Sequence, residues 1–233
     1  MSTLQYPANL SPQTQGKFAL LRNGLHLVSP MTRVAQSIVR AGDRWAVDIG
    51  WGSMTRANAD ILSAFLVSIG YGNRFWMHDH SRPTPRGAWS GSPLVNGAHA
   101  AGVTTVALDG ATISITSWAE LGDQAQFVNP STGASQLVKV TERCDSDGSG
   151  NVSLKVAPAL RFALADNAYV IVTNTGDDLL METGDQLLCE DGTTLNMGPL
   201  AQVKFMLADP DFTRSTEPAL ISSMAISAVE DIT

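Results

Sequence analysis

The chain has little charge, few cysteines and no long apolar run, and each shortage argues against a class of function. Charged residues make up 16% of its 233 positions, below the roughly 25% usual in soluble domains. A sparsely charged surface suits a subunit that buries much of itself against neighbours, and also a secreted protein. The 15 Lys and Arg form no run, and the formal net charge is -7. Nucleic-acid binders and proteins drawn to anionic membranes present a basic face, so the composition argues against both partners. Two cysteines, Cys144 and Cys189, are too few for a disulfide framework and read as thiols of a protein assembled in a reducing cytoplasm. No stretch approaches the ~20 apolar residues of a membrane span. Met1 to Pro12 lacks the apolar core and positive flank of a signal peptide. The expectation is a soluble protein with no membrane insertion.

What is present is ample apolar material, 44% of the chain, enough for one large domain or two small ones. Thr32 to Val39 alternates moderately. After Arg40-Ala41-Gly42-Asp43 the alternation is clean, with Trp45, Val47, Ile49 and Trp51 on one face. Two period-two runs around a Gly-Asp turn predict an antiparallel hairpin. From Arg56 to Ile69 the period changes: Ile61, Leu62, Phe65, Leu66 and Ile69 form a helical stripe. Ser53 or Thr55 can cap this helix, Asp60 lies towards its positive end, and Gly70 and Gly72 end it. Arg74 to His78 reads as another strand. Ser81 to Pro93, rich in Pro and Gly, reads as a linker or long loop.

Beyond it the pattern is β throughout. Candidate strands are Thr104–Leu108, Thr112–Thr116, Gln124–Val128, Gln136–Arg143, Asn151–Val156 and Tyr169–Thr173, then Val203–Leu207 and Ile221–Val229. Their spacing predicts a small barrel or sandwich. Thr183-Gly184-Asp185-Gln186 echoes Leu121-Gly122-Asp123-Gln124, which two similar turns explain as well as a duplication does. The expected layout is nested: a discontinuous β-sandwich domain from residues 1–85 and 200–233, with one flanking helix, carrying a β-barrel inserted over 86–199.

Chemistry is sparse. His78-Asp79-His80 places two imidazoles on one face of a strand, as a metal pair could be placed. Metal sites usually show three or four ligands, and neither His26 nor His99 can be set beside them, so a polar strand end is the preferred reading. Asp145 to Asn151 resembles a fragment of a calcium loop, but position twelve is Val156, and Asp, Ser and Gly are what a hairpin turn needs. Gly50-Trp51-Gly52-Ser53 and Ser90-Gly91-Ser92 are not nucleophile elbows, and no phosphate-binding loop occurs. Asp123, Glu142, Asp145, Asp147, Glu182 and Asp185 leave a glycosidase pair formally open, with solvated turns the simpler account. Of the five tryptophans, Trp45, Trp51 and Trp76 read as core or interface. Trp89 in the Pro/Gly loop reads as exposed, and with Trp118 could contact a sugar. No catalytic, cofactor-binding or metal residue is assigned.

The order of several weak motifs carries a resemblance. Arg44 to Trp51 and the helix lead into Asn73-Arg74-Phe75-Trp76-Met77-His78-Asp79, then Gly91-Ser92-Pro93-Leu94-Val95-Asn96-Gly97. After these come Leu121-Gly122-Asp123, Val138-Lys139-Val140-Thr141, Asp147-Gly148-Ser149-Gly150-Asn151, Pro158-Ala159-Leu160-Arg161 and Phe205-Met206-Leu207-Ala208-Asp209. The chain thus resembles the distal tail and tail-tip (baseplate) structural proteins of long-tailed siphophages. The resemblance implies a tail-tube-like β-sandwich that self-associates as a hexameric ring in the virion tail tip, after assembly in the host cytoplasm. It implies tail tube protein, baseplate hub protein and tape measure protein as partners, and no cofactor or catalysis. A carbohydrate-binding host-recognition module built on Trp89 or Trp118 is the alternative, and a carboxylate hydrolase the third reading.

Overall fold

A computed structural model describes residues 3–6, 15–40, 42–70, 73–82, 84–129, 131–172, 201–208, 214–216 and 222–231. The chain is mainly β, with one α-helix among the described residues. In chain order the strands are β1 (Thr3–Gln5), β2 (Gln15–Leu21), β3 (Gly24–Val28), β4 (Ala35–Val39) and β5 (Arg44–Met54). Helix α1 (Arg56–Ile69) and β6 (Arg74–Met77) follow. Then come β7 (Gly91–Val95), β8 (Thr105–Ala111), β9 (Gln124–Val128), β10 (Ser135–Val140), β11 (Val152–Ala157) and β12 (Tyr169–Val172). The chain closes with β13 (Val203–Leu207), β14 (Arg214–Thr216) and β15 (Ser222–Glu230). Two compact units result: residues 1–81 with 203–233, and residues 82–202.

The first unit is built on a sheet ordered β1-β6-β13-β15-β5-β2, with β14 beside β15. The alternation of β5 buries Trp45, Val47, Ile49 and Trp51. Helix α1 starts where Thr55 accepts from the Asn58 amide, and ends where the Gly70 N–H returns to the Leu66 carbonyl at positive φ, a conformation that favours glycine. Its stripe of Ala59, Leu62, Phe65, Leu66 and Ile69 is buried. Asp60 is not in the first turn; it lies one turn further on and pairs with Arg56 at 3.8 Å, both side chains exposed. Such a pair contributes only a few tenths of a kcal/mol, ~0.3–0.5. Gly72 lies outside the described residues. Strands β6 and β13 are antiparallel neighbours, so the chain leaves and re-enters this unit at adjacent strands. A domain inserted between them leaves the sheet order intact.

The expected pairing of the Thr32–Val39 run with Arg44–Trp51 is not formed. Strand β4 pairs with β3, while β5 is flanked by β2 and β15. The Arg40–Asp43 stretch does not reverse the chain onto β4. Arg40 N donates to the Asn23 carbonyl and Asn23 N donates to Asp43 Oδ1, which brings β5 back beside β2.

The second unit is a closed six-strand antiparallel barrel ordered β10-β11-β8-β7-β12-β9. Its core joins Val95, Val106, Leu108, Phe127, Val138 and Leu154 to Trp89 and Trp118. Two stretches depart from expectation. Thr112–Thr116 is a turn and not a strand: Ser114 takes positive φ, and the Ser146 hydroxyl bonds both the Thr112 carbonyl and the Ile115 amide. The Pro/Gly stretch is not all loop, since Gly91–Val95 closes the barrel as β7. A Cβ at Gly91 would lie 2.5 Å from the Gly110 carbonyl, so the β7–β8 approach needs glycine there.

Candidate functional site

The residues singled out for chemistry are mostly engaged in holding the fold. Trp89 is not exposed: it is 2% accessible, its ring centroid lies 4.5 Å from that of fully buried Trp118, and its indole N–H donates to Asp123. Trp118 Nε1 donates to the Ser90 carbonyl. Burial removes both rings as a sugar-stacking surface, because stacking needs an open aromatic face. A Pro/Gly-rich neighbourhood reads as surface, and the partner that pulls Trp89 inward, Asp123, is 34 residues away.

The carboxylates are similarly occupied. Asp123 accepts from four N–H groups. Glu142 pairs with Lys155 and Asp145 with Arg143. Asp147 accepts from the amides of Ser149 and Asn151 and from the Asn151 side chain, which is the hydrogen-bonding of a tight turn. Those bonds hold its carboxyl below the usual range, the Asn151 side chain having the largest effect. Glu182, Asp185, the Thr183–Gln186 echo and Cys189 lie outside the described residues. Cys144 is half-buried, and burial pushes its thiol up to about 11.

His78 and His80 do come together. Their ring centroids are 4.1 Å apart with planes inclined by 28°. Imidazole lone pairs lie in the ring planes, so rings stacked face to face do not aim two nitrogens at one ion at the ~2.0–2.1 Å that zinc requires. Among the described residues no three His, Cys, Asp and Glu side chains gather as a metal set. His26 bonds Ser37 and His99 accepts from the Ala107 amide, each within its own unit. The stacked pair edges a half-open cavity of about 140 Å³ that Lys17, Phe18, Val47 and Met77 also line. No helix among the described residues is long and apolar enough to cross a membrane.

The least explained surface is the β3–β4 hairpin. Register places Leu25 opposite Ile38 and Leu27 opposite Gln36, so one face carries three large apolar side chains beside one amide. Leu25, Leu27 and Ile38 are 42–50% accessible, Val28 and Val34 more so, and Met31 at the turn reaches 93%. Leu25, Leu27 and Ile38 share one face and Val28 lies on the other, and a monomeric protein rarely leaves so many large apolar side chains of one hairpin uncovered. The sequence signal was present in the moderate alternation of Thr32–Val39, but the pattern does not say whether an apolar face is covered by its own chain or by another. No protein-family model matches the chain, and no curated protein matches it in sequence.

Proposed function

We propose that this protein is a structural ring subunit of a siphophage tail tip, extending the tail tube towards the baseplate hub. The observation that carries the self-association is the uncovered apolar hairpin, 24–39. The barrel offers no free strand edge, because its six strands close on themselves. The sheet of the first unit, by contrast, ends in β2, which is paired only on its β5 side among the described residues.

Charge favours a second copy of this chain as the hairpin's cover. The first 42 residues contain Lys17, Arg22, Arg33 and Arg40 and no acidic residue, so all 22 Asp and Glu lie from Asp43 onwards. Of these, Arg33 lies in the hairpin and Arg40 directly follows it, so a basic, apolar hairpin and an acidic body are complementary between copies, in the head-to-tail contact that closes rings. The tail assignment itself rests on the order of sequence motifs and on the nested β architecture with one helix.

Light scattering of the purified chain, followed by negative-stain imaging, tests the reading. Rings of six are the expected species. A chain that stays monomeric alone and in the presence of tail tube and hub proteins would overturn it.

A further inference from the structure

The segment His78–Ser81 is where the chain leaves the first unit. His80 stands edge-on to the ring of Tyr6, centroids 5.2 Å apart, and stacks on His78. Tyr6 is buried and meets Phe65 of α1 edge-on and Trp51 of β5 face to face. The end of the segment is tied by Asp79, whose Oδ1 accepts from the Ser81 amide and hydroxyl at 3.0 and 2.6 Å. The Nε2 atom of His80 is buried and has no hydrogen-bond partner. A proton placed there would create a buried N–H with no acceptor, on a cation stacked against a second imidazole.

We infer that this exit segment is an acid-released latch: protonation of His80 unseats residues 78–81 from Tyr6 and frees the connector while the sheet and barrel stay folded. The charged and titratable groups around the pair give this its sign. Lys17 of β2 lines the same cavity and opposes added positive charge. The β5 residues there, Val47 and Ile49, are uncharged, and Tyr6 is an unionised phenol raised above its ordinary value by burial. A hydrogen bond with the His78 backbone and then Asp79 favour the His80 cation, but only as a partial offset to burial. Burial, then the neighbouring His78, holds His80 down to about 4; burial likewise lowers His78. The seated state therefore keeps full stability above the ordinary histidine range, near 6.5, and loses it as pH falls towards about 4. No carboxylate release is needed in that window.

Hydrogen–deuterium exchange of the full chain at pH 7.5 and pH 5, corrected for intrinsic rates, tests this. For one imidazole moving between these values, opening at residues 77–82 should rise about 30-fold at pH 5. Protection in β5, β15 and the barrel should be unchanged. In His80→Phe, which keeps an aromatic ring but cannot be protonated, most of the rise should vanish. No rise in the wild type, an equal rise in His80→Phe, or an equal rise throughout the first unit would each overturn the latch. Should His80→Phe fail to fold, NMR titration of the wild-type imidazoles decides: a His80 that protonates at its ordinary pH excludes it.

Discussion

The indole Nε1 of Trp89 donates to Oδ2 of Asp123 at 2.8 Å, and the same carboxylate takes the backbone amides of Arg86, Gly87 and Glu120 at 2.8–2.9 Å. One buried side chain thereby fastens the segment that enters the barrel to the turn before β9. Asp123→Ala strands four donors, the buried Trp89 indole and three part-buried backbone amides. Each unmet donor costs roughly 1–3 kcal/mol, so a loss on the order of 4 kcal/mol or more is expected in urea unfolding followed by tryptophan fluorescence. Asp123→Asn keeps the volume and should cost less. A loss under about 1 kcal/mol for Asp123→Ala would mean the donors find other partners.

The hairpin makes the opposite prediction: function lost, stability kept. Replacing Leu25 and Leu27 by Ser removes apolar side chains that are half exposed in the single chain. Surface changes of this kind usually stay within about 0.5 kcal/mol per site. Covered by a neighbouring copy, each half-exposed leucine gains about half of the ~1.5–3 kcal/mol that full burial supplies. The double variant should therefore melt like the wild type yet fail to self-associate in sedimentation velocity. Unchanged association would remove the hairpin from the contact.

Cys144 gives a quiet control on the barrel. With its thiol raised to about 11 by burial, only a very small share is thiolate at pH 8, and thiolate is the reacting form. In a Cys189→Ser background, labelling with a disulfide reagent should be slow in buffer and fast in denaturing urea. Rapid labelling of the folded protein would contradict the burial of this position.

Much of the architecture was legible, and what escaped had a common cause. The Trp45–Trp51 alternation and the stripe of Leu62, Phe65, Leu66 and Ile69 are local signals with one buried face each, although Ile61, read as part of that stripe, is exposed and Ala59 takes a buried place in it. The strand signal survives because a one-residue shift would expose every apolar side chain of β5. Partner choice is not local. The run at Ala35–Val39 looked like the mate of β5 because Gly42 and Asp43 stood between them, whereas its register belongs to Gly24–Val28. Trp89 looked exposed because its neighbours are Pro, Gly and Ser, and nothing nearby announces Asp123. The two histidines did meet, but sequence spacing could not show that their planes are stacked.

The Asp145–Asn151 turn predicts indifference to calcium. Both oxygens of Asp147 already accept hydrogen bonds within the turn, and Asp145 is held by the Ser117 amide and Arg143. Binding an ion with six to eight oxygen ligands would require breaking that set. Millimolar calcium or a chelator should leave the thermal midpoint of the barrel unmoved in calorimetry. A shift of several degrees would show that the turn rearranges to take the ion.

Salt separates the kinetics of assembly from its equilibrium. The hairpin face is apolar and the charged residues beside it, Arg33 and Arg40, are few. Exposed ion pairs contribute about 0–1 kcal/mol and are screened beyond ~10 Å at 0.1 M salt. Apolar burial is not weakened that way, so assembled rings should persist at 0.5 M sodium chloride. The separation of basic hairpin from acidic body should still steer encounter, since charges at a contact's rim act mainly on association rate. Stopped-flow light scattering should therefore show assembly slowing as salt rises while the final mass stays constant. Rings that fall apart on modest salt addition would place the binding energy in ion pairs and overturn the apolar hairpin as its source.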